Sequence, residues 1–171
     1  NKSHERKPEK FIKKLELPCF VKPSRSDASF GISKINTIEE LPKAIEFAYK
    51  EYAEILIESC LLGTEVSVVV IEYKGEIWVL PATEIVSENE FFDYEAKYLG
   101  KSQEITPARI PDSERERVKA EATPIYELLN MTGLSRSEEL IQEGITHFIE
   151  VNTNTGLSPE ILIPKQALAA G

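Results

Sequence analysis

Cysteine is scarce. The 171 residues hold two, Cys19 and Cys60, far apart and without metal-ligand spacing. This excludes a framework of several disulfides and a cysteine-built zinc site, and it fits a reduced, cytoplasmic protein. No run of 18 apolar residues occurs, so no segment reads as a membrane-spanning helix. The opening "NKSHERKPEKFIKK" is charged and lacks the apolar core of a secretory leader. Positive charge is in deficit, with 20 Lys and Arg against 29 Asp and Glu, a net charge of −9 and a pI near 4.9. That balance argues against nucleic acid as a bulk partner. Internal repeats and low-complexity tracts are lacking too. The first residue is Asn1 rather than Met, and "KQALAAG" stops in what reads as a helix C-terminus, so the sequence reads as a piece of a longer chain.

Apolar residues make up 42% of the chain, enough for a packed core, and the length suits one ordinary domain or two small lobes. Residues 1–16 are polar and loosely helical. "LPCFVKPS" reads as a buried strand closed by Pro23, "SRSDASFGIS" as a loop of small residues and "ISKI" as a returning strand. "TIEELPKAIEFAYKEY" spaces its apolar residues as a helix does, and Thr37 with Glu40 forms a capping box at its start. "EILIESC" is a strand. "EVSVVVIEYKGEIWVLPATEIV" is expected to be two strands around a Lys74-Gly75 turn. "SENEFFDYEAKYLGKSQEITPARI" reads as irregular and too long for a passive loop. "DSERERVKAEATPIYELLNMTG" reads as a helix capped by Asp112 or Ser113 and bent or split at Pro124. "LSRSEELIQEGITHFIEVN" is a hairpin turning at Glu143-Gly144, and "EILIPKQALAA" a last helix. The class is α+β with mostly antiparallel strands.

Strand alternation in "HFIEVN" places Phe148, Glu150 and Asn152 on one side and His147, Ile149 and Val151 on the other. Antiparallel pairing across the turn can set Glu138 opposite that first face. Three oxygen donors at adjacent strand positions suit Mg²⁺; solvated polar residues on an exposed sheet face show the same pattern. Lys22 ends a buried strand, where it can reach a phosphate or simply meet solvent. The loop Ser24 to Gly31 can cradle phosphate with backbone N–H groups, though one such loop is weak evidence. Lys97, between aromatics, reads equally as a surface lysine lying along rings.

The order of the stretches "CFVKP", "SFGISK", "LIESCLLGTEVSV", "FFDYEAKY", "GLSRSE" and "EVNTNTGLSPEILIP" resembles the D-alanine–D-alanine ligases, within the ATP-grasp enzymes, from Leu17 to the chain end. The resemblance implies an ATP-grasp fold: mostly antiparallel sheets with flanking helices, in two small lobes around a nucleotide cleft. Residues 1–16 would lead in, 17–80 would carry the phosphate loop and adenine hinge, and 81–171 the metal ligands, the family's N-terminal substrate lobe being absent. By this resemblance Lys22 and Lys97 contact ATP phosphates, and Ser29 covers them. Glu58 and Leu61 belong to the adenine hinge, and Glu65 holds the ribose. Glu138, Glu150 and Asn152 hold two Mg²⁺ ions, which Mn²⁺ can replace. Arg136 stabilises developing charge, and Gly156 and Ser158 face the second substrate. The implied reaction is ATP-dependent joining of two D-alanines through an acyl-phosphate, a step in peptidoglycan precursor synthesis. A homodimer is left open; nucleic acid and membrane are not expected as partners.

The sequence departs from the family pattern in places. Asp27-Ala28-Ser29-Phe30-Gly31 stands where Gly-Ser-Ser-x-Gly is usual, adding a negative charge and removing a hydroxyl. Glu138 replaces the usual Asp, Thr155 the usual Pro, and Ile161 a Ser that would meet the second substrate's carboxylate. Two other readings remain beside the first: a ligase with another acceptor such as D-lactate, and a nucleotide-binding module without catalysis.

Overall fold

A computed structural model describes residues 17–25, 30–87, 102–153, 155–156 and 161–171. Its contacts divide the described chain into two units, one ending at Leu61 and the other starting at Leu62. The first contains β1 (Cys19–Pro23), β2 (Ser33–Ile35), a 3-10 turn (Ile38–Glu40), α1 (Leu41–Glu51) and β3 (Ile55–Ser59). β1 is central and antiparallel to both neighbours, in the order β2-β1-β3. Cys19 and Val21 are buried and Phe20 and Lys22 less so, the alternation of a strand with one covered face. Leu41, Ala44 and Ala48 of α1 close over Cys19, Val21 and Ile35. The Glu40 carboxylate accepts the N–H groups of Asn36 at 2.7 Å and Thr37 at 3.1 Å, so the helix opens where the Thr37–Glu40 pattern put it.

The second unit is a six-stranded sheet built on β4 (Thr64–Tyr73). Its remaining strands are β5 (Glu76–Val79), β6 (Thr83–Ser87), β7 (Ser102–Ile105), β8 (Leu134–Gln142) and β9 (Ile145–Asn152). The main path is β7-β6-β4-β8-β9, with β5 also pairing with β4. α2 (Asp112–Leu128) covers one face, where Val118, Ala122 and Tyr126 pack on Val66, Val68, Val70 and Ile141. Gln166 of α3 (Leu162–Ala170) bonds to the backbone of β4 at Ser67 and Val69.

β4 pairs over Thr64–Ile71 with β8 and has its ladder in the unit that starts at Leu62. The stretch expected to be two strands is three. β5 ends before Leu80-Pro81, and β6 then pairs back onto Glu65–Ser67 of β4. Proline has no N–H for a ladder, so the break falls there. The segment read as irregular carries β7, which pairs with β6 from Glu84 to Ser87. α2 starts at Asp112 itself, with Pro111 in the capping position, its carbonyl accepting the N–H groups of Glu114 and Arg115 at 3.0 Å each. The helix also runs unbroken through Pro124, held by buried Val118 and Ala122 before it and Tyr126 after it. Both hairpin turns fall where expected, with positive φ at Lys74 and Gly75 and at Glu143 and Gly144, the geometry that matches strand twist.

A Cβ on Gly63 would overlap the carbonyl oxygen of Ile141. Backbone meets backbone there, at the start of the β4–β8 ladder. Gly63→Ala is expected to lower unfolding free energy by about 1–3 kcal/mol or more, read by chemical denaturation.

Glu139 is fully buried on the α2 face, and neither carboxylate oxygen has a hydrogen-bond partner among the described residues. Burial, then Glu121 and Glu138, push its pKa from 4.5 up to about 8. Between those values the unfolded chain ionises at this residue and the folded chain does not. Stability is therefore lost as pH rises from about 4.5 to about 8, and is flat beyond. Glu139→Gln should remove this dependence and be more stable than the parent at pH 8–9, by an amount that vanishes near pH 4 (urea melts across the range decide it).

Candidate metal and nucleotide site

The turn at Glu143-Gly144 folds β9 back on β8, with Glu138 directly opposite Glu150 and Arg136 opposite Asn152. Directly paired residues share a face. Glu65 pairs with Leu140, Ser67 with Glu138 and Val69 with Arg136, so Glu65, Ser67, Arg136, Glu138, Glu150 and Asn152 all lie on the face away from α2.

Simple alternation misplaces one residue. The register shifts between Glu138 and Glu139, so Phe148 pairs with Glu139 on the α2 face, and Ile149 is the extra residue of a bulge. Phe148 therefore does not share a face with Glu150, as the sequence pattern suggested. The bulge is also what turns Glu150 toward Glu138.

Glu138 is buried, with 4% of its surface exposed. Arg136 Nε lies 2.8 Å from its Oε1, an ion pair by distance without hydrogen-bond alignment. Asn152 is half-buried, and its Nδ2 has no hydrogen-bond partner among the described residues. Two carboxylates directly opposite one another repel unless positive charge is near. Arg136 supplies one positive charge. The set of two carboxylates and one amide is also the hard-oxygen donor set that Mg²⁺ takes, so the residues fit that ion. Among the described residues no three His, Cys, Asp or Glu side chains gather as a metal cluster. Beyond the strand, Thr155 Oγ1 is buried without a partner among the described residues, and a Cβ on Gly156 would come within 3.0 Å of Ile161 Cδ1.

In the first unit, Lys22 and Glu58 stand diagonally across β1 and β3 and form an ion pair of 2.5 Å. Glu58 follows Leu56 by two positions along β3, and Leu61 comes after the strand, where the Cys60 N–H is fixed to the Pro18 carbonyl at 3.2 Å. Gly31 has φ +75°, and a Cβ there would lie 2.7 Å from Glu51 Cγ and 2.8 Å from Pro23 Cγ. A residue with a side chain is opposed there by both conformation and space. Ser29, Lys97 and Ser158, with Asp27 and Ala28, lie outside the described residues.

Sequence reasoning missed the Lys22–Glu58 pair and the role of Gln166. The first was visible as two charged residues on neighbouring strands. The second had no local signal, because its partners are 97 and 99 residues away.

The fold defines the class. An antiparallel sheet with flanking helices is the ATP-grasp fold of solved D-Ala ligases. The VanG D-Ala:D-Ser ligase from Enterococcus faecalis superposes with a TM-score of 0.85 at 35% identity, over 95% of this chain and 48% of that one. The D-alanine–D-alanine ligase from Bacillus anthracis complexed with ATP gives 0.79 at 26% identity, over 99% and 52%. Residues 1–171 match the family model described as D-ala D-ala ligase C-terminus, and the chain belongs to that family. It is 60% identical over its whole length to the D-alanine–D-alanine ligase of Flavobacterium johnsoniae, covering 53% of that protein. To the ligase of Christiangramia forsetii it is 53% identical, covering 52%. The chain thus spans about half the length of the relatives it matches.

The Lys22–Glu58 pair has one member 41% exposed, and solvent screens it. Glu58→Gln should therefore change unfolding free energy by less than about 1 kcal/mol, as read by urea denaturation.

Proposed function

We propose that this chain is the nucleotide- and metal-binding part of an ATP-dependent ligase that joins two D-alanines for peptidoglycan precursor synthesis in the cytoplasm. The observation that carries the reading is the register that sets Glu138 against Glu150 and Arg136 against Asn152, in a chain of the D-alanine–D-alanine ligase family. The other half of the relatives' length would complete the enzyme.

In this reading Lys22 and Lys97 meet the ATP phosphates and Ser29 covers them. Glu58 and Leu61 border adenine, and Glu65 takes the ribose hydroxyls. Glu138, Glu150 and Asn152 would hold Mg²⁺, two ions in the full enzyme. When bound, Mg²⁺ neutralises phosphate charge and fixes the oxygens for in-line transfer. A carboxylate oxygen of the first D-alanine bonds to the γ-phosphorus as ADP leaves. The amine of the second bonds to the acyl carbon, phosphate leaves, and the amine gives up a proton. Arg136 would stabilise the negative charge that develops. Gly156 and Ser158 would face the second D-alanine, and Ile161 in place of Ser leaves its carboxylate with fewer donors.

The test is calorimetric titration with a non-hydrolysable ATP analogue, with and without Mg²⁺. The parent should bind more tightly with Mg²⁺, and Glu150→Gln should lose about tenfold or more of that gain with its fold intact by circular dichroism. Equal Mg²⁺ dependence in the two would sink the metal assignment. No binding by the parent under either condition would favour a part that engages nucleotide only in the longer protein.

A further inference from the structure

We propose that Gln166 is a positioning residue of the metal-binding face, holding β4 at the two residues that pair with Arg136 and Glu138. Gln166 is fully buried on α3. Its Oε1 accepts the Val69 N–H at 3.0 Å, and its Nε2 donates to the Ser67 carbonyl at 2.8 Å and to Thr83 Oγ1 at 3.0 Å. These partners fix the orientation of the carboxamide, because only its oxygen can accept and only its nitrogen can donate. Thr83 Oγ1 accepts from Gln166 and also shares a 2.6 Å hydrogen bond with Thr106 Oγ1, in which either hydroxyl can donate.

The place of this amide in the sheet explains its use. Along one edge of β4, β6 pairs with Glu65–Ser67 and β5 with Val70–Tyr73. Between the two the chain leaves the ladder through Leu80-Pro81. The Val69 N–H falls between the two ladders and would be left unmet in a buried strand; Gln166 Oε1 accepts it, while Nε2 donates to the carbonyl of Ser67, where the β6 ladder ends. On the other edge of β4, Ser67 pairs with Glu138 and Val69 with Arg136, and β8 in turn faces Glu150 and Asn152. A transverse row thus runs from Gln166 through β4 to the acid–amide array. The neighbouring Lys165 adds a 2.7 Å ion pair to Glu104 of β7, so α3 is pinned to the sheet at two successive residues. Small displacements of a supporting strand move oxygen donors out of a cation's reach.

This inference rests on the metal reading above, and the experiment separates the two. The probe is Mn²⁺ bound to the 171-residue chain with a non-hydrolysable ATP analogue, read by electron paramagnetic resonance. Gln166→Met keeps the side chain's length and removes its polar contacts. It is expected to weaken Mn²⁺ binding about tenfold. Val118→Ala, a buried change on the α2 face, should destabilise the sheet yet leave Mn²⁺ affinity within about twofold of the parent, which a merely structural role for Gln166 would not predict. Thr83→Val removes one Gln166 contact and serves if Gln166→Met does not fold. It should weaken Mn²⁺ binding at least about twofold and speed hydrogen exchange at the Val69 amide. Parent-like Mn²⁺ affinity in a folded Gln166→Met, or in Thr83→Val, overturns the proposal. Parent-like affinity in Glu150→Gln overturns the metal reading instead, and the proposal with it.

Discussion

The pairing of β4 with β8 is the constraint on which the second unit depends. Eight successive partners, from Thr64↔Ile141 to Ile71↔Leu134, fix one register. Strand side chains alternate, so this register decides two things together. It sends Val66, Val68 and Val70 into the core under α2, and Glu65 and Ser67 to the face that carries Arg136 and Glu138. A slip of one residue would turn Arg136 and Glu138 in among the valines, at the desolvation cost of a buried ion pair. The close approach of Gly63 to Ile141 starts the ladder, and the apolar contacts of α2 reinforce it.

The bulge at Ile149 is the second constraint, and it acts against the first. Unbroken alternation from Phe148 would leave Glu150 on the α2 face. One extra residue reverses the facing halfway along β9, so the same strand gives Phe148 to the core side and Glu150 and Asn152 to the polar side. The same strand of eight residues thereby presents an aromatic ring to one face of the sheet and a carboxylate and an amide to the other.

What was legible in the sequence was local. The two hairpin turns, the start of α1 and the strand character of "CFVKP" and "SVVV" follow from turn chemistry, capping and β-branched residues within a few positions. The family order of short stretches added the acid–amide set, and the register then brought its members to one face. Three features escaped. The break at Pro81 was hidden because the flanking residues read as one continuous apolar strand. The bulge was hidden because nothing in "HFIEVN" marks an extra residue; it exists only relative to β8. Gln166 was hidden because its partners are backbone groups of β4 almost a hundred residues earlier. Each is a long-range fact, set by what another segment lacks.

The adjacent glutamates of "SEEL" show how far residue type alone falls short. Both are buried and both carry carboxylates. Glu138 faces the polar side, with Arg136 at 2.8 Å and Glu150 directly across. Glu139 faces Val66 and the α2 core, with no hydrogen-bond partner for either oxygen among the described residues. Burial and the nearby Glu121 and Glu138 disfavour its charge, so its pKa rises to about 8, and in neutral solution it is largely a neutral, awkward core residue. The neutrality has a consequence next door. A charged Glu139 would add a third carboxylate to the environment of Glu138 and Glu150, and its desolvation removes that charge from around the array. One strand position, and so one step of the alternation, separates a carboxylate paired with the Arg136 guanidinium from one held uncharged in the core.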